Sequence, residues 1–427
     1  MDSDHQVRIK NFYVTGFRSC HDTSVSLNPQ LSALIGINGS GKTNLLNALM
    51  LIRKVHSFRN YPYSQKNEPG KGQECTLAVD FMVSEKLVNY RASINYTTNQ
   101  RNQEEVIGTE EKWNLREING KDEWISFPSY LIRPEGKEAI GGLAQYFMIR
   151  SIQLNEGQRV SRAEFDQYAN LSSEIHSSLG PVSYFLSRIS YYSASKYTNP
   201  SECPPYFYLE DESHPPPTYR GQGREPHVRF LYDLYRFYDK NPQGYQEFES
   251  IAGRKGLGLI DKVTFYPVRV PVSEVEVRAG GRIVKKKIKR EIVVPHFIVH
   301  GTKLSPGQLS EGTFKTLAIL LYLITDASEL LLLEEPEVCI HHGLLSSLVE
   351  LIKTHSVQKQ IVITTHSDFV LDQLTPESVF LVKNTPKCGT KVERLPESMS
   401  ARNYLALKEY LGSTGNLGEY WRDAGFE

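Results

Sequence analysis

Leu31-Ser32-Ala33-Leu34-Ile35-Gly36-Ile37-Asn38-Gly39-Ser40-Gly41-Lys42-Thr43-Asn44-Leu45-Leu46 decides how this chain is read. The first five residues form a short apolar run of the kind found in strands buried on both faces, and Gly36 ends it. From Asn44 to Val55, Leu45, Leu46, Leu49, Leu51 and Ile52 recur at helical spacing. The expected order is strand, glycine-rich loop, helix. Gly36 to Thr43 satisfies G-x-x-x-x-G-K-[S/T] at each constrained position, with Asn38, Gly39 and Ser40 inside the loop. The glycines let successive backbone N–H groups converge on the β- and γ-phosphates of a nucleotide, and the helix starting near Lys42 adds the positive end of its dipole. Lys42 supplies a cation, and the Thr43 hydroxyl can join a Mg²⁺ shell.

Outward from this loop, residues 7–35 read as strands, and about 73–131 alternates apolar and polar residues (Leu77, Val79 and Phe81 against Thr76, Ala78 and Asp80), which predicts an antiparallel sheet. Residues 140–192 read as helical, with Gly180-Pro181 breaking two helices. A loop at 198–226, rich in proline, precedes an aromatic-rich helix near 227–239, whose Phe230, Tyr232, Tyr235, Phe237 and Tyr238 fit packing better than base stacking. Residues 262–300 return to strand patterns, and 310–382 alternates helix and strand as a parallel α/β sheet does. The expected fold class is thus α/β, a mixed or parallel sheet carrying the phosphate loop with a flanking antiparallel sheet and a helical insertion. The expected divisions are 1–139 for the first half, 140–261 for the insertion, 262–395 for the second half and 396–427 for a C-terminal tail.

Leu330-Leu331-Leu332-Leu333-Glu334-Glu335-Pro336-Glu337 is an apolar strand that ends in acids. Such a strand carries carboxylates to the C-terminal edge of a parallel sheet, where ligands bind in α/β folds. Glu334 is the candidate Mg²⁺ ligand, directly or through water, and Glu335 the candidate general base that polarises the attacking water. Ile361-Val362-Ile363-Thr364-Thr365-His366 repeats the pattern, with His366 placed to reach a γ-phosphate. Leu309-Ser310-Glu311-Gly312-Thr313 opens an apolar helix, Phe314 to Thr325.

These four motifs, in this order, resemble those of the ABC-type ATPases: phosphate loop, LSxG signature, strand ending in two acids, switch histidine. The resemblance implies ATP and Mg²⁺ as ligands, and two copies of the chain sandwiching two ATPs, with Ser310 and Gly312 of one copy reaching the γ-phosphate held by the other. Val14-Thr15-Gly16-Phe17-Arg18-Ser19, the run Gly39 to Leu46, and Glu334-Glu335-Pro336-Glu337 with Ile340-His341 look like the RecF/SMC-related branch, especially the overcoming-lysogenisation (OLD) type; Arg18 then lies beside the phosphates, with Asn44 next to Thr43. Transporter-type domains normally have Asp in place of Glu334 and a small insertion, and both features differ here. Gln73 and Gln153 both stand as candidates for the glutamine loop. Only 61 residues follow His366, too few for a TOPRIM nuclease domain, and no long heptad run is present. The chain is therefore similar to ATPase subunits of two-component phage-defence systems (Septu PtuA, PARIS and retron-associated ATPases), which implies a homodimer or higher homo-oligomer and a separate effector, a nuclease. A RecF-like repair clamp that binds DNA directly, and a scaffold that binds ATP with negligible hydrolysis, are the competing readings.

Residues 278–290 hold Arg278, Arg282, Lys285, Lys286, Lys287, Lys289 and Arg290 with no acid among them, a candidate contact for DNA or for a protein partner. A two-residue turn at Gly280-Gly281 would set Glu276 opposite Lys285 and Glu274 opposite Lys287, which makes a charge-paired, solvated hairpin the alternative.

Across 427 residues, 49 Lys+Arg balance 49 Asp+Glu, so binding through a polybasic coat is excluded. A composition 40% hydrophobic and 23% charged supports a full core rather than disorder. Five cysteines without a CxxC argue against a zinc site or disulfide framework, and fit a reducing cytoplasm. The longest apolar stretch, near Leu317 to Ile324, falls short of the roughly 18 residues of a membrane helix, and the N-terminus lacks a signal pattern, so no membrane association is expected.

Overall fold

The computed structural model describes residues 6–57, 74–98, 104–117, 124–127, 175–197, 199–209, 226–278, 282–386, 388–413 and 415–424. The chain divides into two compact units, the first made of 1–191, 327–334 and 356–427, the second of 192–326 and 335–355.

In chain order the first unit begins with β1 (Val7–Phe17), β2 (Cys20–Ser26), β3 (Leu31–Ile35), α1 (Lys42–Ser57), β4 (Glu74–Val83), β5 (Lys86–Thr98), β6 (Glu104–Glu117), β7 (Ile125–Phe127), α2 (Gly180–Ser187) and β8 (Ile189–Ser193). The second unit holds β9 (Phe207–Leu209), α3 (Pro226–Lys240), α4 (Pro242–Ala252), β10 (Lys262–Arg278), β11 (Arg282–Val299), β12 (Thr302–Leu304) and α5 (Glu311–Thr325). The chain continues with β13 (Leu330–Glu334), α6 (His342–Ser356), β14 (Gln360–Thr365), α7 (Asp368–Asp372), β15 (Val379–Thr385), β16 (Gly389–Arg394), α8 (Ala401–Ser413) and α9 (Leu417–Ala424).

Two sheets build the first unit. One is antiparallel, in the order β2-β1-β4-β5-β6-β7. Along β4 the expected alternation holds, with Cys75, Leu77, Val79, Phe81 and Val83 buried on one face. The other has the order β16-β15-β3-β14-β13-β8, in which β15, β3, β14 and β13 run parallel. Every residue of β3 and β14 is buried, as befits apolar strands covered on both faces. One core cluster joins Leu45, Leu49 and Ile52 of α1 to Phe12, Val79 and Phe81 of the antiparallel sheet and to Leu34, Leu332 and Val362 of the parallel one. Gln360 fastens the two sheets: its amide accepts from Ile9 N (2.9 Å) and donates to Ile9 O (2.9 Å) and Asn28 O (2.8 Å). This is the α/β class expected from the sequence, with the phosphate loop on a central parallel strand and an antiparallel sheet beside it.

In the second unit, Phe230 of α3 packs edge-on to Phe314 of α5 at 4.9 Å, and Phe207, Tyr235 and Phe265 join the same cluster. The aromatic stripe of α3 is thus packing, as its helical spacing suggests.

Three expectations are corrected. The stretch read as helical to residue 192 is helical only to Ser187 among its described residues; Ile189–Ser193 is a strand of the parallel-core sheet. Gly180-Pro181 does not separate two helices: a π-helical turn, Ile175–Leu179, runs directly into α2, and Pro181 lies in the first turn of α2 where the helix changes type. The basic hairpin has a different register. Arg278 pairs with Arg282 across a three-residue connection, so Glu276 stands opposite Val284 and Glu274 opposite Lys286. Lys285, Lys287 and Lys289 face Val275, Ser273 and Pro271. One extra loop residue is enough to shift every pair. Gln73 and Gln153, residues 210–225 of the proline-rich loop, and the side chains of 272–288 lie outside the described residues. Among the described residues no helix is long and apolar enough to cross a membrane.

Candidate functional site

The candidate site starts from sheet register. In the order β3-β14-β13, Thr364 pairs with Leu34 on one side and Glu334 on the other, and Thr365 pairs with Ile35. Three parallel strands therefore end at one level, so that Gly36, Glu334 and His366 leave the sheet along a single edge. Glu334 and His366, 298 and 330 positions after Gly36, are brought to it by parallel pairing of three apolar strands.

At that edge the loop 36–41 reverses the chain into α1. Gly39 has φ +82° and Gly41 φ +104°, a region L side chains rarely adopt, and a Cβ on Gly41 would lie 2.1 Å from Thr390 Oγ1. Only glycine fits there. Lys42 is buried and its Nζ donates to the carbonyls of Gly36 (2.8 Å) and Ile37 (3.2 Å), which holds the ammonium inside the loop. Helix α1 has no acid of its own in its first turn and carries Lys54 and His56 in its last, so the charges on the helix leave its positive N-terminal end available to an anion and complement its negative C-terminal end. Ser40 Oγ is buried within the loop and has no hydrogen-bond partner among the described residues. A buried hydroxyl of this kind is suited to a phosphate oxygen.

Thr43 Oγ1 donates to Glu334 Oε1 at 2.6 Å, and Tyr191 Oη donates to Glu334 Oε2 at 2.5 Å. A hydroxyl and a carboxylate side by side, both hard oxygen donors, form the ligand set Mg²⁺ takes alongside substrate phosphates. The residues present therefore fit both an anionic phosphate group and a magnesium ion.

Arg18 sits in the β1–β2 turn with φ +49°; its Nη1 donates to Asn44 Oδ1 (3.2 Å), and Asn44 Nδ2 donates to Ser19 Oγ (2.7 Å). Ser19 Oγ in turn lies 2.8 Å from Thr390 Oγ1, and Asn384 Nδ2 donates to Gly39 O (3.2 Å). The loop is thus braced on one side by the β1–β2 turn and on the other by β15 and β16. Beside this brace, burial pushes the Cys20 thiol up to about 11, so it stays protonated at neutral pH. His366 is exposed and directly precedes Ser367, whose N–H donates to Thr365 Oγ1 (3.0 Å).

Asn38 is exposed at the tip of the loop. Glu335, the residue after Glu334, takes φ +47° and opens a turn closed by Val338 N–H on Glu335 O at 3.2 Å. In the second unit, Ser310 caps α5: its Oγ accepts from Thr313 N at 3.2 Å. Gly312 lies against the turn after Glu335, where an added Cβ would meet Cys339 O at 2.5 Å. Lys315 at 2.8 Å, with help from the Cys339 thiol, holds the Glu311 carboxyl below its usual range. Glu335, Ser310 and Gly312 share the second unit; Arg18, residues 36–44, Glu334 and His366 share the first.

Sequence reasoning misses Tyr191, Ser19, Asn384 and Thr390. Ser19 ends the stretch Val14 to Ser19 without a role of its own there, and Asn384 and Thr390 carry no motif, since hydroxyls and amides that brace a loop from a distant part of the chain follow no spacing rule. Tyr191 is obscured by the helical reading of its segment; the short alternation Ile189-Ser190-Tyr191-Tyr192-Ser193 before an acid-ended strand is the available signal.

Residues 151–372, just over half of the chain, match the family model described as "AAA domain, putative AbiEii toxin, Type IV TA system". Residues 8–135 match a second, "AAA ATPase domain". A DNA replication and repair protein RecF from Stutzerimonas stutzeri (strain A1501) is 47% identical over 47 residues, 11% of this chain and 13% of that protein. The RecF of Pseudomonas syringae pv. syringae (strain B728a) is 41% identical over 67 residues, 15% of this chain and 17% of that protein. The matched segment thus spans less than a fifth of these relatives. Among solved structures, an SMC head bound to the C-winged helix domain of ScpA covers 92% of this chain and 100% of its own, with a TM-score of 0.42 and 13% identity. The SMC head domain from Thermotoga maritima covers 91% and 98%, with a TM-score of 0.40 and 11% identity.

Proposed function

This chain belongs to the AAA-domain family whose model it matches over residues 151–372, and from that premise we propose that it binds ATP with Mg²⁺ at Gly36–Thr43 and hydrolyses it. The observation that carries this reading is the pair of contacts at the sheet edge, Thr43 Oγ1 on Glu334 Oε1 directly beside a lysine held within a phosphate loop. Thr43 and Glu334 would hold Mg²⁺, which when bound would offset the negative charge of the phosphates. Lys42 and the loop N–H groups would bind and orient the phosphates, Arg18 would add a cation at the base of α1, and His366 would contact the terminal phosphate. Glu335 would take a proton from the attacking water. Its left-handed backbone, which costs a non-glycine residue about 1–3 kcal/mol, supports a functional reason for its placement.

In this reading ATP is sandwiched between two copies, Ser310 and Gly312 of one reaching the nucleotide of the other, since the α5 N-terminus offers a hydroxyl and backbone N–H groups to a phosphate. The closed pair regulates a separate nuclease in phage defence, in the cytoplasm. The test is the mass of the Glu335→Gln variant in solution. With ATP and Mg²⁺ it should double, and with Lys42→Ala added it should stay monomeric; a mass insensitive to nucleotide overturns the sandwich. Co-purification with the products of adjacent genes tests the effector.

A second reading, direct DNA contact, is favoured by one observation: the observed register leaves Lys285, Lys287 and Lys289 without carboxylates opposite them. If these three lysines neutralise phosphates, replacing them with Glu should reduce the salt dependence of DNA binding by about 0.9 per contact in the log–log slope. An unchanged slope sinks this reading.

A further inference from the structure

Glu334 is engaged on both oxygens, on Oε1 by Thr43 of the phosphate loop and on Oε2 by a residue from outside it. The second, Tyr191, comes from β8, the strand beside β13 in the parallel-core sheet. We infer that Tyr191 is a positioning residue for the metal site, its hydroxyl fixing the orientation of the Glu334 carboxylate that, with Thr43, would hold Mg²⁺; this rests on the proposed ATP-Mg²⁺ reading. A carboxylate at the end of a strand can rotate about its side-chain bonds. A hydrogen bond to each oxygen removes that freedom, and groups that orient metal ligands in this way commonly set metal affinity by about 10- to 100-fold.

The neighbouring tyrosine provides an internal control. Strand alternation turns Tyr192 to the opposite face, where its hydroxyl donates to Asp326 Oδ2 at 2.7 Å and its ring stacks on Tyr322 at 4.0 Å. Burial, then the Asp326 carboxylate, raises the Tyr192 phenol well above its ordinary range. Two adjacent tyrosines thus serve different partners, and only one touches the candidate metal ligand.

The experiment measures ATP affinity by calorimetry, in Mg²⁺ and in EDTA, on a Glu335→Gln background that suppresses turnover. The ratio of the two affinities reports the metal's contribution. Tyr191→Phe keeps the ring and removes the hydroxyl; it should reduce the ratio by about 10-fold or more while leaving affinity in EDTA unchanged. Tyr192→Phe should leave both values as in the parent. A Tyr191→Phe ratio equal to the parent's overturns the inference, and so does an equal loss in EDTA, which would signal a merely structural role. A parent that binds no ATP in either condition overturns instead the reading on which the inference rests, and the inference with it.

Discussion

Glu335→Gln is expected to lower ATP turnover by about 10²–10⁴-fold, the usual contribution of a positioned general base, and to leave ATP affinity within a few-fold of wild type. The amide keeps the size of the side chain but cannot take a proton from water. The backbone hydrogen bond from Val338 N–H to Glu335 O that closes the turn does not involve the side chain, so the protein should melt close to the wild type. Single-turnover phosphate release is the direct measurement. A variant that turns over at the wild-type rate would remove Glu335 from the mechanism and shift the role of base elsewhere.

Lys42→Ala is expected to act one step earlier, on binding. Hydrogen bonds to charged groups contribute about 1.5–3 kcal/mol each, so loss of an ammonium serving two phosphates should weaken ATP by about 10²–10⁴-fold. The ammonium now donates to Gly36 O and Ile37 O inside the loop, so its removal also frees two carbonyls that help set the loop's curvature. Equilibrium binding of a fluorescent ATP analogue distinguishes the two variants: Glu335→Gln binds, Lys42→Ala does not. If Lys42→Ala bound as tightly as wild type, the loop would not be the nucleotide site.

Much of this site is legible in the sequence, because its main parts are local. A phosphate loop needs glycines at fixed offsets before a lysine and a helix, and Gly36 to Thr43 carries all of them in eight residues. Glu334 and His366 each follow a short apolar strand, and parallel pairing then has few ways to arrange β13, β14 and β3 other than edge to edge. The residues that steady the site are not legible, for the converse reason. Tyr191 reaches Glu334 across 143 positions, and Thr390 meets Ser19 across 371, through contacts that depend on how whole strands are placed. The hairpin register fails on a smaller scale. Gly280-Gly281 suggests a two-residue turn, yet Arg278 pairs with Arg282, and that single residue moves Lys285 and Lys287 away from the glutamates they would otherwise face. Strand identity follows from composition; register follows from loop geometry, which glycines leave open.

The central claim is that the edge formed by Gly36–Thr43, Glu334 and His366 is a magnesium-dependent ATP site, and steady-state phosphate release from ATP by the purified chain tests it most directly. Saturable release in Mg²⁺ is expected, falling to background in EDTA, in Lys42→Ala and in Glu335→Gln. Release that persists unchanged in either variant, or a wild-type chain that neither binds nor hydrolyses ATP, would contradict it.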